Sequence, residues 1–266
     1  MQPTRIIINA DDLGISPEVN ASIFDLMARG RITSATLLAN GPEVEAAARE
    51  AARHPACSFG VHLNLTQFRP LAPRPGLDSI MDDAGSFSGR FREIPLTASL
   101  REAIFAEWSA QVERLVSLGV EVSHFDSHHH VHTVPGLFRV LKRLQRRFAV
   151  RRVRATRNVY PADATPSRAT LILKAGWNFA LRHHYRTRTT DGFTAFGTFR
   201  SVAGARPAVL GRHASIELMT HPGSEGYESE TRMLDDDWRE RLGFPTELIS
   251  YHDLRTPWAV DQNSSR

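Results

Sequence analysis

The 266-residue chain, 41% apolar and 23% charged, has the composition of an ordinary globular protein and the length to bury a full core. Its 33 basic and 29 acidic residues leave a net charge of +4, too small an excess to mark a nucleic-acid binder, and only Lys142 and Lys174 of the basic set are lysines. No apolar run approaches the roughly 18 residues of a membrane span, and the start lacks the flanks of a signal peptide. A cytoplasmic protein without a membrane partner is therefore expected, and with a single cysteine, Cys57, any metal must be held by His, Asp or Glu.

Short β-rich runs alternate with amphipathic helical stretches. A strand over Arg5–Asn9 precedes a helix over Pro17–Arg29, with Ser16 available as its cap. A strand over Thr33–Leu38 precedes a helix over Pro42–His54. A third strand, Ser58–Leu63, leads through a long loop into a helix over Leu100–Leu118. The fourth strand, Val120–Phe125, is followed by a helix from Pro135 to about Phe148, a strand near Arg152–Ala155, a helix across Ser167–His184 and a late strand at Ser215–Thr220. This order predicts βαβ units around a parallel sheet. A (β/α) barrel, incomplete or distorted, fits better than an open doubly wound sheet, because no Gly-rich nucleotide loop follows the first strand. The segment Gln67–Thr97 is rich in Pro, Gly, Asp and Ser and has the length of a lid. Residues 1–255 form one domain on this reading, with a frayed tail over 256–266.

In a parallel α/β fold, ligands bind beyond the carboxyl ends of the strands. The first strand runs into Ala10-Asp11-Asp12-Leu13-Gly14, and two neighbouring carboxylates in one cleft call for a cation. The third strand ends in Gly60-Val61-His62-Leu63-Asn64. In and just beyond the fourth, His124, Phe125, Asp126, Ser127, His128, His129, His130, Val131 and His132 hold five of the twelve histidines within nine residues. Imidazole is the commonest metal ligand, yet alternation along a strand lets only about two of these converge on one ion. His128 and His132 would share a face if a helical turn begins there. Glu217-Leu218-Met219-Thr220-His221-Pro222-Gly223 repeats the pattern of a strand that ends on a histidine.

NADDLG after the first strand, GVHLNLT after the third, HFDSHHHVH at the fourth and ELMTHPG near the end resemble the signatures of the YdjC-like carbohydrate deacetylases, the chitooligosaccharide deacetylase family, across residues 5 to about 225. The resemblance implies a barrel-like enzyme that uses one divalent ion (zinc, magnesium, nickel, cobalt or manganese) to hydrolyse the N-acetyl group of an amino sugar or short oligosaccharide. It implies Asp12, His62 and His128 as metal ligands and Asp11 as general base. His221 is the candidate general acid, with His129 and His130 as alternatives, and Asn64, His129, His130 and Arg154 are candidate substrate contacts. Assembly as a homodimer is compatible with the sequence.

Two rival readings arise. A phosphoesterase also wants Asp and His at strand ends, but usually holds two metals and more carboxylates. A nucleic-acid binder is suggested by Lys142, Arg143, Arg146, Arg147, Arg151, Arg152, Arg154 and Arg157. The first four read better as the solvated face of a helix, with no aromatic residues interleaved for stacking.

Overall fold

The computed structural model describes residues 2–254 except 162 and 165; the expected tail over 256–266 lies outside the described residues. In chain order the elements are β1 (Thr4–Leu13), α1 (Pro17–Ala28), β2 (Ser34–Leu37), α2 (Val44–Ala51), β3 (Ser58–Leu63), α3 (Ala98–Ser117), β4 (Val122–Ser127), α4 (Phe138–Arg147), α5 (Arg168–His183), β5 (Gly192–Ala195), α6 (Phe196–Ala205), α7 (Pro207–Leu210), β6 (Ser215–Thr220), α8 (Glu228–Asp235) and β7 (Thr246–Leu248). Ser16 caps α1, accepting the Val19 N–H at 3.2 Å ahead of Pro17.

All seven strands pair in parallel, in the order β4-β3-β2-β1-β6-β5, with β7 alongside the first residues of β1. The stretch read as a strand near Arg152–Ala155 forms only isolated bridges, but these close the ring. The Phe125 N–H donates to the Arg152 carbonyl and the Arg154 N–H to the Phe125 carbonyl, each at 3.0 Å, and the Phe193 N–H donates to the Arg157 carbonyl at 2.9 Å. The result is a distorted (β/α) barrel with residues 152–158 as an irregular stave.

Alternation along the staves explains where the core lies. Ile6, Ile8, Ala10, Ala35, Leu37, Phe59, Val61, Leu63, Phe125, Ile216 and Leu218 face outward and pack against helix residues such as Ile23, Ala47, Trp108, Leu115, Leu141 and Phe199 in one buried cluster. Burying each Ile or Leu is worth about 1.5–3 kcal/mol. Their inward neighbours, Asn9, Asp11, Thr36, His62, Asp126, Arg154 and Glu217, are polar, fully buried and hydrogen-bonded to one another. The usual barrel interior of branched apolar side chains is thus replaced by charge. At the amino ends of the staves the opening is plugged by Ile249, Tyr251 and Leu254, which cluster with Ile7.

Two further features differ from the sequence expectation. Strand β1 continues past Asn9 through Leu13, which pairs with Leu37, so Asp11 and Asp12 sit inside the strand. Lys142, expected on a solvated face, is buried: its ammonium donates to Gln145 Oε1, Leu181 O, His184 O and Thr187 Oγ1 at 2.7–2.9 Å, tying α4 to the end of α5. Arg143, Arg146 and Arg147 are exposed, as expected.

Gly60 has a role the alternation predicts, because an inward Cβ there would lie 2.6 Å from the His124 ring and 2.8 Å from the His124 carbonyl. Gly60→Ala should therefore cost about 1–3 kcal/mol through overpacking. The check is the urea unfolding midpoint; an unchanged midpoint would mean that the His124 ring is free to move aside.

Candidate metal centre and carboxylate clamp

Adjacent strand residues normally point to opposite faces, yet Asp11 and Asp12 reach the same rim. The β1–β2 register slips between Ala10 and Leu13, and Asp12 takes a left-handed φ of 65°. This bulge turns the Asp12 carboxylate toward β3 and β4. Asp12 Oδ1 lies 3.3 Å from His62 Nε2 and 2.8 Å from His128 Nδ1, and the three residues offer ligand atoms that all fall within 4.8 Å of one another. Behind them, His62 Nδ1 donates to Asp126 Oδ1 at 2.8 Å, and Asp126 Oδ2 accepts from Thr36 at 3.0 Å. A ligating imidazole whose second nitrogen is held by a carboxylate is the usual support for a metal.

The donor chemistry fits a divalent cation. Burial alone would lower the His62 pKa, but the charges of Asp126 and Asp11 and the hydrogen bonds to Asp12 and Asp126 push it up to about 10. Burial would raise the pKa of Asp12, yet hydrogen bonds from His128 and His62 hold it well below the usual carboxylate range. The pocket thus draws positive charge to itself, and a bound ion would replace the imidazole proton.

Asp11 belongs to a second arrangement. Arg154 Nη1 and Nη2 donate to Asp11 Oδ2 and Oδ1 at 2.7 and 2.6 Å, Nη2 also reaches Asp126 Oδ2 at 2.9 Å, and Nε donates to Glu217 Oε1 at 2.8 Å. Burial would raise the Asp11 pKa, but the Arg154 charge and its paired bonds outweigh it and keep the group ionised. Asp11 Oδ1 also accepts from Asn9 Nδ2 at 2.9 Å, whereas Oδ2 has a lone pair left and lies 4.0 Å from His62 Nε2.

Of the expected substrate contacts, Arg154 is 1% exposed and is spent on these three carboxylates. Asn64 is fully buried; its side chain bonds Asn40, Thr66 and Gln67, while its backbone bonds Gln111, so it anchors the root of the long segment. The turn after β4 is broken by left-handed His129 and His130, so His128 and His132 do not share a face. His132 is turned under, bonded to Ser127 through Nδ1 and away from the ligand cluster. His129 is held by Thr66 at 2.9 Å and, through its carbonyl, by Arg92 at 2.5 Å; the His130 ring meets Phe193 edge-on. His221 follows Thr220, which is in register with Ala10, and so lies level with Asp11 across β1 from the ligand set. Its ring rests against Tyr227, with centroids 4.7 Å apart.

The segment 67–97 carries two short 3-10 turns and buries Leu77, Ile80, Phe87 and Phe91. Glu107 on α3 accepts the Leu71 and Ala72 N–H groups at 3.1 and 2.7 Å, and Gln67 Oε1 comes within 3.0 Å of His128 Nε2. Asp126, Glu217 and Tyr251 were not singled out from the sequence. Asp126 lies two residues from both His124 and His128, the spacing of one strand face, and Glu217 is an acid inside an apolar strand; both signals were present. Tyr251 carries none.

These observations define a (β/α)-barrel protein with a His/Asp cluster that could hold a metal ion at the carboxyl end of its strands. The chain belongs to the YdjC-like family, whose model matches residues 5–254. It is 43% identical over 157 residues to a protein of Geobacillus stearothermophilus described as a carbohydrate deacetylase, an alignment covering 58% of this chain and 62% of that one. It is 36% identical over 218 residues to a carbohydrate deacetylase of Brevibacillus brevis, covering 82% and 81%. Among solved structures it resembles an Enterococcus faecalis protein provisionally described as a cellobiose-phosphate cleavage protein, with a TM-score of 0.74, 25% identity and coverage of 95% and 99%. No helix among the described residues is long and apolar enough to cross a membrane.

The clamp predicts a reversal of pH dependence. Asp11 has a depressed folded-state pKa, so the stability it adds is present above about pH 4 and is lost as pH falls through the folded value. Arg154→Met leaves buried carboxylates without their cation and should cost about 3–5 kcal/mol at neutral pH. Those carboxyls then have raised pKa values, so the variant should regain stability on acidification toward pH 5. Thermal midpoints at pH 5 and pH 8 decide it: a deficit that is the same at both values contradicts the clamp.

Proposed function

We propose that this protein is a metal-dependent hydrolase that removes the acetyl group from an N-acetylated amino sugar or short oligosaccharide. The observation that carries this reading is the Asp12, His62 and His128 donor set with the clamped Asp11 carboxylate beside it. The names of the relatives supply the substrate class. Asp12, His62 and His128 would hold one divalent ion, zinc, magnesium, nickel, cobalt or manganese, which when bound polarises an acetyl carbonyl and acidifies a water.

The chain's own residues do the rest. Asp11 Oδ2, ionised and with a lone pair facing the pocket, takes the proton of the attacking water as the tetrahedral intermediate forms. Arg154 and Asn9 fix the carboxylate plane, so that the accepting lone pair is aimed before substrate arrives. His221, on the far side of Asp11 from the ligands, protonates the departing amine; His129 and His130 border the acyl side. Gln67 and the segment behind it form a wall that limits water access. Arg154 and Asn64 support the site from below, a role we prefer to the direct sugar contact expected from sequence.

The same clamp disfavours a two-metal phosphoesterase. The second carboxylate group in the pocket, Asp11 with Asp126, is already engaged by the Arg154 guanidinium. Nucleic-acid binding is disfavoured because Arg143 and Arg147 pair with Glu102 and Glu113.

Two variants test the assignment. Asp12→Asn should lose metal affinity and activity together. Asp11→Asn should bind metal nearly normally while acetate release drops by roughly 10²–10⁴, the worth of a positioned base. Calorimetric metal titration beside acetate release from N-acetylated mono-, di- and oligosaccharides reads both. Full activity in chelator-stripped protein, or normal rates in both variants, would refute the reading.

A further inference from the structure

Two hydrogen-bonded routes run from one buried residue to the Asp11 carboxylate. On the first, the Tyr251 phenol donates to Glu217 Oε2 at 2.5 Å, and Glu217 Oε1 accepts the Arg154 Nε–H at 2.8 Å. The Arg154 Nη atoms then hold both oxygens of Asp11. On the second, the Tyr251 backbone N–H donates to Ser58 Oγ at 2.9 Å, Ser58 to Ser34 Oγ at 3.0 Å and Ser34 to Asn9 Oδ1 at 2.6 Å. Asn9 Nδ2 completes the path to Asp11 Oδ1 at 2.9 Å.

Every residue on both routes is buried. The Tyr251 ring is itself fixed, stacked on His124 with centroids 3.6 Å apart and an interplanar angle of 10°. Tyr251 also opens the short turn Tyr251–Asp253 that crosses the barrel's lower opening, where Ser250 and Asp253 cap each other.

Arg154 needs such a guide. With only Asp11 and Asp126 as partners, its guanidinium would be free to slide between two carboxylates of equal charge. The Nε bond to Glu217 fixes its plane, and the Tyr251 phenol fixes which Glu217 oxygen faces it. We infer that Tyr251 is a remote positioning residue for Asp11, acting through the Glu217–Arg154 route on one side and the Ser58–Ser34–Asn9 route on the other. This rests on the reading of Asp11 as the base of a deacetylase.

The test is a double-mutant cycle on the full chain loaded with its metal. Tyr251→Phe keeps the stack on His124 and removes only the phenol bond, while Ser34→Ala cuts the other route. Each should lower kcat about tenfold, with KM and metal content unchanged. In an Asp11→Asn background neither should lower it further, because the group they position is gone. A merely structural Tyr251 would lower the thermal midpoint and leave kcat of the folded enzyme intact, or give the same fold-loss in both backgrounds; either result overturns the inference. If the wild type released no acetate from any sugar, the deacetylase reading would fall by itself. The crystal structure of Tyr251→Phe would then decide positioning alone, and an Arg154 still bidentate on Asp11 would overturn it.

Discussion

One guanidinium shared among three buried carboxylates governs this molecule. Asp11, Asp126 and Glu217 come from three separate staves, and each would carry a heavy desolvation cost without Arg154. Their union holds β1, β4 and β6 at fixed separations from inside, while the helices press on the same staves from outside. Packing alone would permit the staves to slip by small amounts. A bidentate pair between two planar groups does not, because the loss of either hydrogen bond strands a buried charge.

The charge count extends the argument to the metal pocket. Asp11, Asp12, Asp126 and Glu217 bring four negative charges against the single positive charge of Arg154. His62 is drawn into the imidazolium form by that deficit. Beside Asp12 the protein offers two imidazoles and no lysine or arginine, so the donors there are ones that can hold either protons or a cation. The same imidazoles explain why the bulge at Asp12 persists despite its left-handed backbone: two short contacts to His62 and His128 hold it there.

How much of this could be read in the sequence follows from the length scale of each interaction. Period-two alternation exposed the main staves, because Ile6, Ile8 and Ala10 must face helices while Asn9 and Asp11 face inward. The candidate ligands Asp12, His62 and His128 were named through the motifs that carry the resemblance; alternation alone would turn Asp12 away from Asp11, and the bulge that brings both to one rim left no mark in the sequence. Strands β5 and β7 are three or four residues long, too short for any period to register. The stave at 152–158 lacks a regular ladder and owes its place to single bridges with Phe125, Arg188 and Phe193. Lys142 looked like one more charge on a basic helix; its burial is decided by carbonyls at Leu181 and His184, some forty residues on. Tyr251 meets Glu217 and Ser58 only after the barrel has closed.

The division between interior and rim has a consequence for how such a site can change. Residues that fix charge, Asn9, Thr36, Asp126, Arg154 and Glu217, sit on staves, hold one another and leave no contact unused. Residues that border the open side, Gln67, His129, His221 and Tyr227, come from turns and from the long segment before α3. A substitution at the rim alters what is admitted without disturbing the proton acceptor below, whereas one in the interior removes a partner from a charge that has nowhere else to go. Under the proposed reading, preference for sugar and chain length is therefore free to drift through the rim while the hydrolytic chemistry stays fixed. That is consistent with relatives of modest identity sharing one description.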